Sequence, residues 1–121
     1  MSCYLGIDLG TTGVKAVVAD DLQNIISSSY LSYAIQTPQI GFAEQDPEIW
    51  WRSTCGVIKD ALSRIRSRSV QIRGVGLSGQ MHGLVALGAS NEVVCPAVIH
   101  CDQRAFAEKQ EIIDHFATEK L

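Results

Sequence analysis

Residues 6–15 read GIDLGTTGVK: an apolar strand runs into a Gly/Thr turn, with an acid, Asp8, at the join and Lys15 in the stretch that follows. Two structures fit these letters. One is an ordinary hairpin; the other is a turn whose backbone N–H groups form a concavity for phosphate. Gly10 lets the chain reverse, and the Thr11 and Thr12 hydroxyls can donate to phosphate oxygens. Asp8 suits Mg²⁺ held through water, because magnesium keeps several waters and takes only one or two carboxylates. The stretch is not a G-x-x-x-x-G-K-[ST] loop, since Lys15 is followed by Ala16. The rest of the chain has to decide.

Outward from that turn, 3–9 (CYLGIDL), 14–19 (VKAVVA) and 25–35 (IISSSYLSYAI) predict three strands joined by short turns, an antiparallel meander. QTPQIGFAEQD (36–46) reads as a loop, broken by Pro38 and Gly41. A helix follows: Asp46 caps it, Pro47 takes the first helical position and Glu48 complements the dipole. Trp50, Thr54, Val57, Ile58, Ala61, Leu62 and Ile65 recur at helical spacing and form its core face. Arg64, Arg66 and Arg68 read as a solvated helix end. Strands are expected at 70–78, 83–88 and 93–99, with ASNE (89–92) as a turn. Asp102 predicts the cap of a last helix from Gln103 to Thr118, with Phe106, Ile112, Ile113 and Phe116 on its apolar side. The order is β-β-β-α-β-β-(β)-α, an α/β unit without repeat or linker.

At 121 residues the chain is the size of one domain. A net charge of -3 gives no electrostatic reason to expect nucleic acid or an anionic membrane as partner. No apolar run approaches the roughly 20 residues that span a bilayer. MSCYLGIDLG lacks a basic region and a cleavage site, so a cytoplasmic location is expected. Cys3, Cys55, Cys95 and Cys101 form no C-x-x-C pair; they are expected to be buried free thiols rather than metal ligands.

GVGLSG (74–79) matches G-x-G-x-x-G, but the next residues, QMHGLVAL, look like another strand and not the helix that a dinucleotide fingerprint needs. Glycines in a strand instead allow a backbone or ligand to come close. SGQMHG (78–83) sets Gln80, Met81 and His82 between two strands. An amide, an apolar contact and an imidazole together suit a polyhydroxylated substrate with one apolar edge. HCDQR (100–104) places Asp102 where a strand gives way to a helix, a common ligand position.

GIDLGTTGVK, EQDPEIWW, GLSGQMHGLVAL and PAVIHCDQR, in this order and approximate spacing, resemble the FGGY carbohydrate kinases along essentially the whole chain. The resemblance implies the ribonuclease H-like, actin-like ATPase fold, with sugar and MgATP meeting in a cleft. Asp8 would then position Mg²⁺, while Gly10, Thr11, Thr12 and Lys15 would lie at the ATP phosphates. Gln80, Met81, His82, Asp102 and Arg104 would line the sugar side, which Glu44, Gln45 and Asp46 help to shape. The branch of the family that phosphorylates D-xylulose fits Met81 and His82 best; ribulose, gluconate and glycerol are the alternatives, as is a non-catalytic actin-like module. His100 stands where the family usually carries Trp, and Gly88 where Asp is common.

The family's catalytic base is an Asp in a later G-x-G-D-like segment, and no such segment occurs here. The chain is therefore expected to be the first part of the N-terminal ATPase domain, inactive alone and without a catalytic residue of its own. An open sheet edge and an uncovered apolar face make a homodimer a further expectation.

Overall fold

The computed structural model describes residues 1–117. Strands β1 (Ser2–Leu9), β2 (Gly13–Asp20) and β3 (Ile25–Ser32) form the expected antiparallel meander. The chain then passes through a short β4 (Glu44–Gln45) and the helix α1 (Pro47–Ser63). It returns as β5 (Gln71–Gly79) and ends with β6 (Ala97–Val98) and α2 (Phe106–Ala117). β5 lies parallel to β1, so the main sheet has the order β3-β2-β1-β5.

Alternation on β1 and β2 explains the core. Cys3, Leu5 and Ile7 share one face with Val14, Ala16 and Val18, and all six are buried. α1 covers that face with Val57 and Ala61, and Ile65 follows just beyond the helix. Each fully buried valine there contributes about 1.5–3 kcal/mol. α1 begins as its sequence dictates: the Asp46 carboxylate accepts from Glu48 N, and Pro47 follows. Polar ties fix the helix to β3: Ser27 Oγ donates to Ala61 O at 2.7 Å, and Ser29 Oγ to Asp60 at 2.6 Å. Arg64 is an exposed helix end, paired with Asp60 and donating to Ser28 O. At the β2–β3 turn the Asp20 carboxylate accepts from Leu22 N, Asn24 N and the Asn24 side chain, which holds its pKa below the usual range.

Five expectations are corrected. The stretch 36–46 is not all loop, because Glu44 and Gln45 pair with Val98 and Ala97. Two-residue strands are too short to show an alternating pattern. Residues 83–88 and 93–99 form isolated bridges, Leu84 with Val98 and Leu87 with Val93, and only Ala97–Val98 is a strand. The turn between them is real, closed by Gly88 N to Glu92 O with Asn91 at φ 62°. β3 ends at Ser32 and not at 35, because Tyr33 N turns away to donate to Thr12 O.

The last helix starts at Phe106, three residues later than expected. Asp102 is not its cap, because its carboxylate is spent on Ala43 and Arg104. Thr118, the expected end, lies outside the described residues. Finally, only Cys3 of the four free cysteines is buried; Cys95 and Cys101 are exposed. None of the described helices is long and apolar enough to cross a membrane.

Gly13 opens β2 beneath Tyr30. A Cβ there would collide with the Tyr30 ring and stand 2.6 Å from Leu31 O, whereas one at Gly76 would meet open space. Gly13→Ala is expected to lower stability by about 1–3 kcal/mol, and Gly76→Ala to be neutral or stabilising by up to about 1 kcal/mol. Urea denaturation of the two variants checks this.

Candidate functional site

Parallel pairing of β1 and β5 brings the two most suggestive loops to one edge of the sheet. Asp8 lies level with Ser78 and Leu9 with Gly79, and Gln80 N donates to Leu9 O at 2.8 Å. The Gly10–Gly13 turn and the Gln80–His82 segment therefore leave the carboxyl ends of adjacent strands, where α/β sheets bind ligands. Gly79 permits the approach, since a Cβ there would stand 3.1 Å from Leu9 O. Of the glycines in GVGLSG it is Gly79 that a neighbouring backbone requires, and the element that follows β5 is β6 and not a helix.

The turn itself has its carbonyls held from within. Tyr33 Oη donates to Gly10 O at 2.5 Å, Gln45 Nε2 to Thr11 O at 2.7 Å, and Tyr33 N to Thr12 O at 3.1 Å. Burial, and then the neighbouring Tyr30 and Asp8, push the Tyr33 phenol up, so it remains a donor at neutral pH. Among the described residues, no acceptor pairs with Thr11 N–H or Thr12 N–H. Pinned carbonyls and unpaired N–H groups are what an anion concavity requires.

Asp8 is exposed and faces Lys15 directly across the β1–β2 ladder. Both line a groove of about 330 Å³ with Gly6, Val17, Gly76 and Ser78. No cluster of three metal-ligating side chains occurs among the described residues. That donor set fits magnesium carried by phosphate and steadied by one carboxylate, and does not fit an all-protein cage.

Gln45, for which the sequence implies no more than a part in shaping the sugar side, is the centre of this arrangement. It is 2% exposed. Its Oε1 accepts from Trp50 Nε1 at 2.9 Å and from Gln80 Nε2 at 3.0 Å, while its Nε2 serves Thr11 O. The signal available was a glutamine just before a capped helix with a tryptophan five residues on. Its burial was not legible, because apolar pattern says nothing about a polar side chain that is fully bonded.

Glu44, the other residue of β4, serves a second cluster. Arg104 donates to Glu44 Oε1 at 2.8 Å and to Asp102 Oδ2 at 2.7 Å, and its guanidinium lies 4.0 Å over the Phe42 ring. Asp102 also accepts from Ala43 N at 2.7 Å, and its side chain is 3% exposed. Arg104 holds the Asp102 carboxyl well below the usual range, and Asp102 together with Glu44 raises Arg104 above its own. The pair therefore fastens 42–44 to 102–104, and its inward oxygens are already bonded. Met81 and His82 are exposed, and the chain at Leu84 bridges to Val98 of β6. His82 has φ 61°, the left-handed region that side chains resist. His100 is exposed.

The family model for the N-terminal domain of the FGGY family of carbohydrate kinases matches residues 3–121. The chain belongs to the FGGY family. Over all of its 121 residues it is 37% identical to a xylulose kinase from Lactococcus lactis, of which it covers 24%. A crystal structure of a "xyloylose kinase" from Brucella ovis superimposes with TM-score 0.88 at 36% identity, over 95% of this chain and 24% of that one. A gluconate kinase from Lactobacillus acidophilus does so with TM-score 0.85 at 24% identity, over 94% and 23%, and shows the shared fold. The fold is that of the actin-like sugar kinases, and this FGGY chain spans about a quarter of the curated relative's length.

Two outcomes follow from this geometry. A folded-state carboxyl pKa held low contributes stability that is present above about pH 4 and lost as pH falls below it. Asp102→Asn is therefore expected to lower the melting temperature at pH 7 and to flatten its decline between about pH 4 and pH 2, read by thermal melts across pH. At position 82, Asn or Gly is expected to be tolerated, whereas His82→Val costs about 1–2 kcal/mol, read by chemical denaturation.

Proposed function

We propose that this chain is the phosphate-facing and sugar-facing part of an ATP-dependent kinase that transfers the γ-phosphoryl group of MgATP to D-xylulose, giving D-xylulose 5-phosphate. The observation that carries the reading is the convergence of the Gly10–Gly13 turn and the Gln80–His82 segment on one sheet edge, with Gln45 bonded to both. Phosphoryl transfer depends on positioning and on charge stabilisation more than on covalent chemistry from the protein, so a rigid edge of this kind is what it requires.

Each residue has a part. Thr11 and Thr12 N–H groups, with their hydroxyls, cradle phosphate oxygens, and Gly10 gives the close approach. Lys15 offsets phosphate charge beside Asp8. Asp8 orients magnesium through its water shell; MgATP, when bound, supplies the group transferred and the cation that offsets its developing charge. Gln80, Met81 and His82 hold the sugar, against a wall braced by Asp102 and Arg104. In this reading none of these residues acts as the base for the sugar hydroxyl. The setting is cytoplasmic, and the chain pairs as a homodimer through its open sheet edge. His100, exposed where the family usually has Trp, favours a second reading in which the acceptor is ribulose, gluconate or glycerol.

The test joins residues 1–121 in frame to the part of the Lactococcus lactis xylulose kinase that follows its matched segment, and measures ADP release with each of the four acceptors. Turnover with D-xylulose is expected to exceed the others. Asp8→Asn should reduce it by roughly a hundredfold, as loss of several kcal/mol of charge stabilisation implies, while the 121-residue chain alone releases no ADP. A folded fusion that phosphorylates none of them removes the kinase reading.

A further inference from the structure

The orientation of one buried amide is fixed by chemistry alone. Trp50 Nε1 can only donate, so the Gln45 atom at 2.9 Å from it must be the oxygen. Gln45 Nε2 then faces Thr11 O at 2.7 Å and Ala34 O at 3.4 Å, both of which can only accept. Gln80 must in turn present its own Nε2 to Gln45 Oε1 at 3.0 Å. This leaves Gln80 Oε1 buried with no partner among the described residues. A buried acceptor without a partner is costly and rare in folded proteins. Two residues later, His82 holds a left-handed backbone at φ 61°. The segment Gln80–His82 thus has two unrelieved features side by side, the pattern found where a ligand completes a site.

We propose that Gln45 is a positioning residue that couples the two halves of the site: a ligand that rearranges Gln80–His82 shifts the Gln80 amide, and Gln45 passes that shift to the Thr11 carbonyl of the phosphate turn. The inference rests on the kinase reading. It makes sugar and nucleotide phosphate bind synergistically through a strut that touches neither. The strut is stiff, because Gln45 is closed in by Trp50 and is 2% exposed. Its reach is short: one side chain spans from the turn after β1 to the residue after β5. Coupling is reciprocal, so each ligand tightens the other by the same factor.

The experiment uses the fusion enzyme and measures the dissociation constant of MgATP with and without saturating D-xylulose. Gln45→Met and Gln80→Met are compared with the double variant, and melting temperatures are recorded for all. The unaltered enzyme is expected to bind MgATP more tightly with sugar present. Each single variant should lose roughly three- to tenfold of that synergy, as loss of one buried hydrogen bond implies, and the double variant no more than either single. Synergy that survives Gln45→Met, losses that add in the double variant, or no synergy in the unaltered enzyme would overturn the coupling while leaving the kinase reading intact. An unaltered enzyme that folds but turns over no acceptor would instead fell the kinase reading, and this inference with it.

Discussion

The parallel ladder between β1 and β5 is the constraint on which the rest of the molecule depends. Antiparallel neighbours would have sent the Gly10–Gly13 turn and the Gln80–His82 segment to opposite ends of the sheet. A parallel pair needs a crossover, and α1 supplies it while covering the core face of β1, β2 and β3. The same helix that solves the connection problem also delivers Trp50 to the back of Gln45. Topology, core and site are therefore one arrangement, and the buried amide lies where all three meet.

β4 shows how little regular structure is needed to organise chemistry. Its two residues face opposite ways, as strand geometry requires. Gln45 goes inward to the Gly10–Gly13 turn, and Glu44 goes toward Arg104 and Asp102. One short ladder with β6 thereby joins the hydrogen-bonded amide cluster to the ion-paired cluster. Asp102 and Arg104 act through this joint, since their bonds run to Ala43, Glu44 and each other.

Legibility in the sequence followed physical range. The meander and α1 were readable because period-two alternation and a capped 3.6-residue repeat are local signals; Val57, Ala61 and Ile65 do lie in the core with Ile58 and Leu62 packed against it, whereas Trp50 and Thr54 stay half-buried outside it. Gly10, Thr11 and Thr12 were readable as a turn after the strand that carries Asp8, since glycine and short polar side chains are local turn signals. The bridges at Leu84 and Leu87 and the short β4 were not, because their pairing depends on partners far along the chain. Asp102 looked like a helix cap, and only the three-dimensional path of 41–44 shows its carboxylate already claimed. The apolar residues of α2 fit a helix, yet Phe106, Ile112, Ile113 and Phe116 are exposed, so periodicity revealed an amphipathic face without saying what covers it.

The outer position of β5 has a consequence for how the molecule breathes. Among the described residues this strand pairs with β1 alone, carries Gly74 and Gly76 in its interior, and leaves Val75 and Leu77 exposed. Interior glycines weaken a strand by about 0.5–1 kcal/mol each, and one-sided pairing halves its ladder. Local opening free energy should thus fall from β2 toward β5, making amide exchange faster on the strand that leads into Gln80. The other outer strand, β3, is tied to α1 through Ser27 and Ser29, so the cheapest excursion of this sheet is a peeling of β5, next to the Gln80–His82 segment.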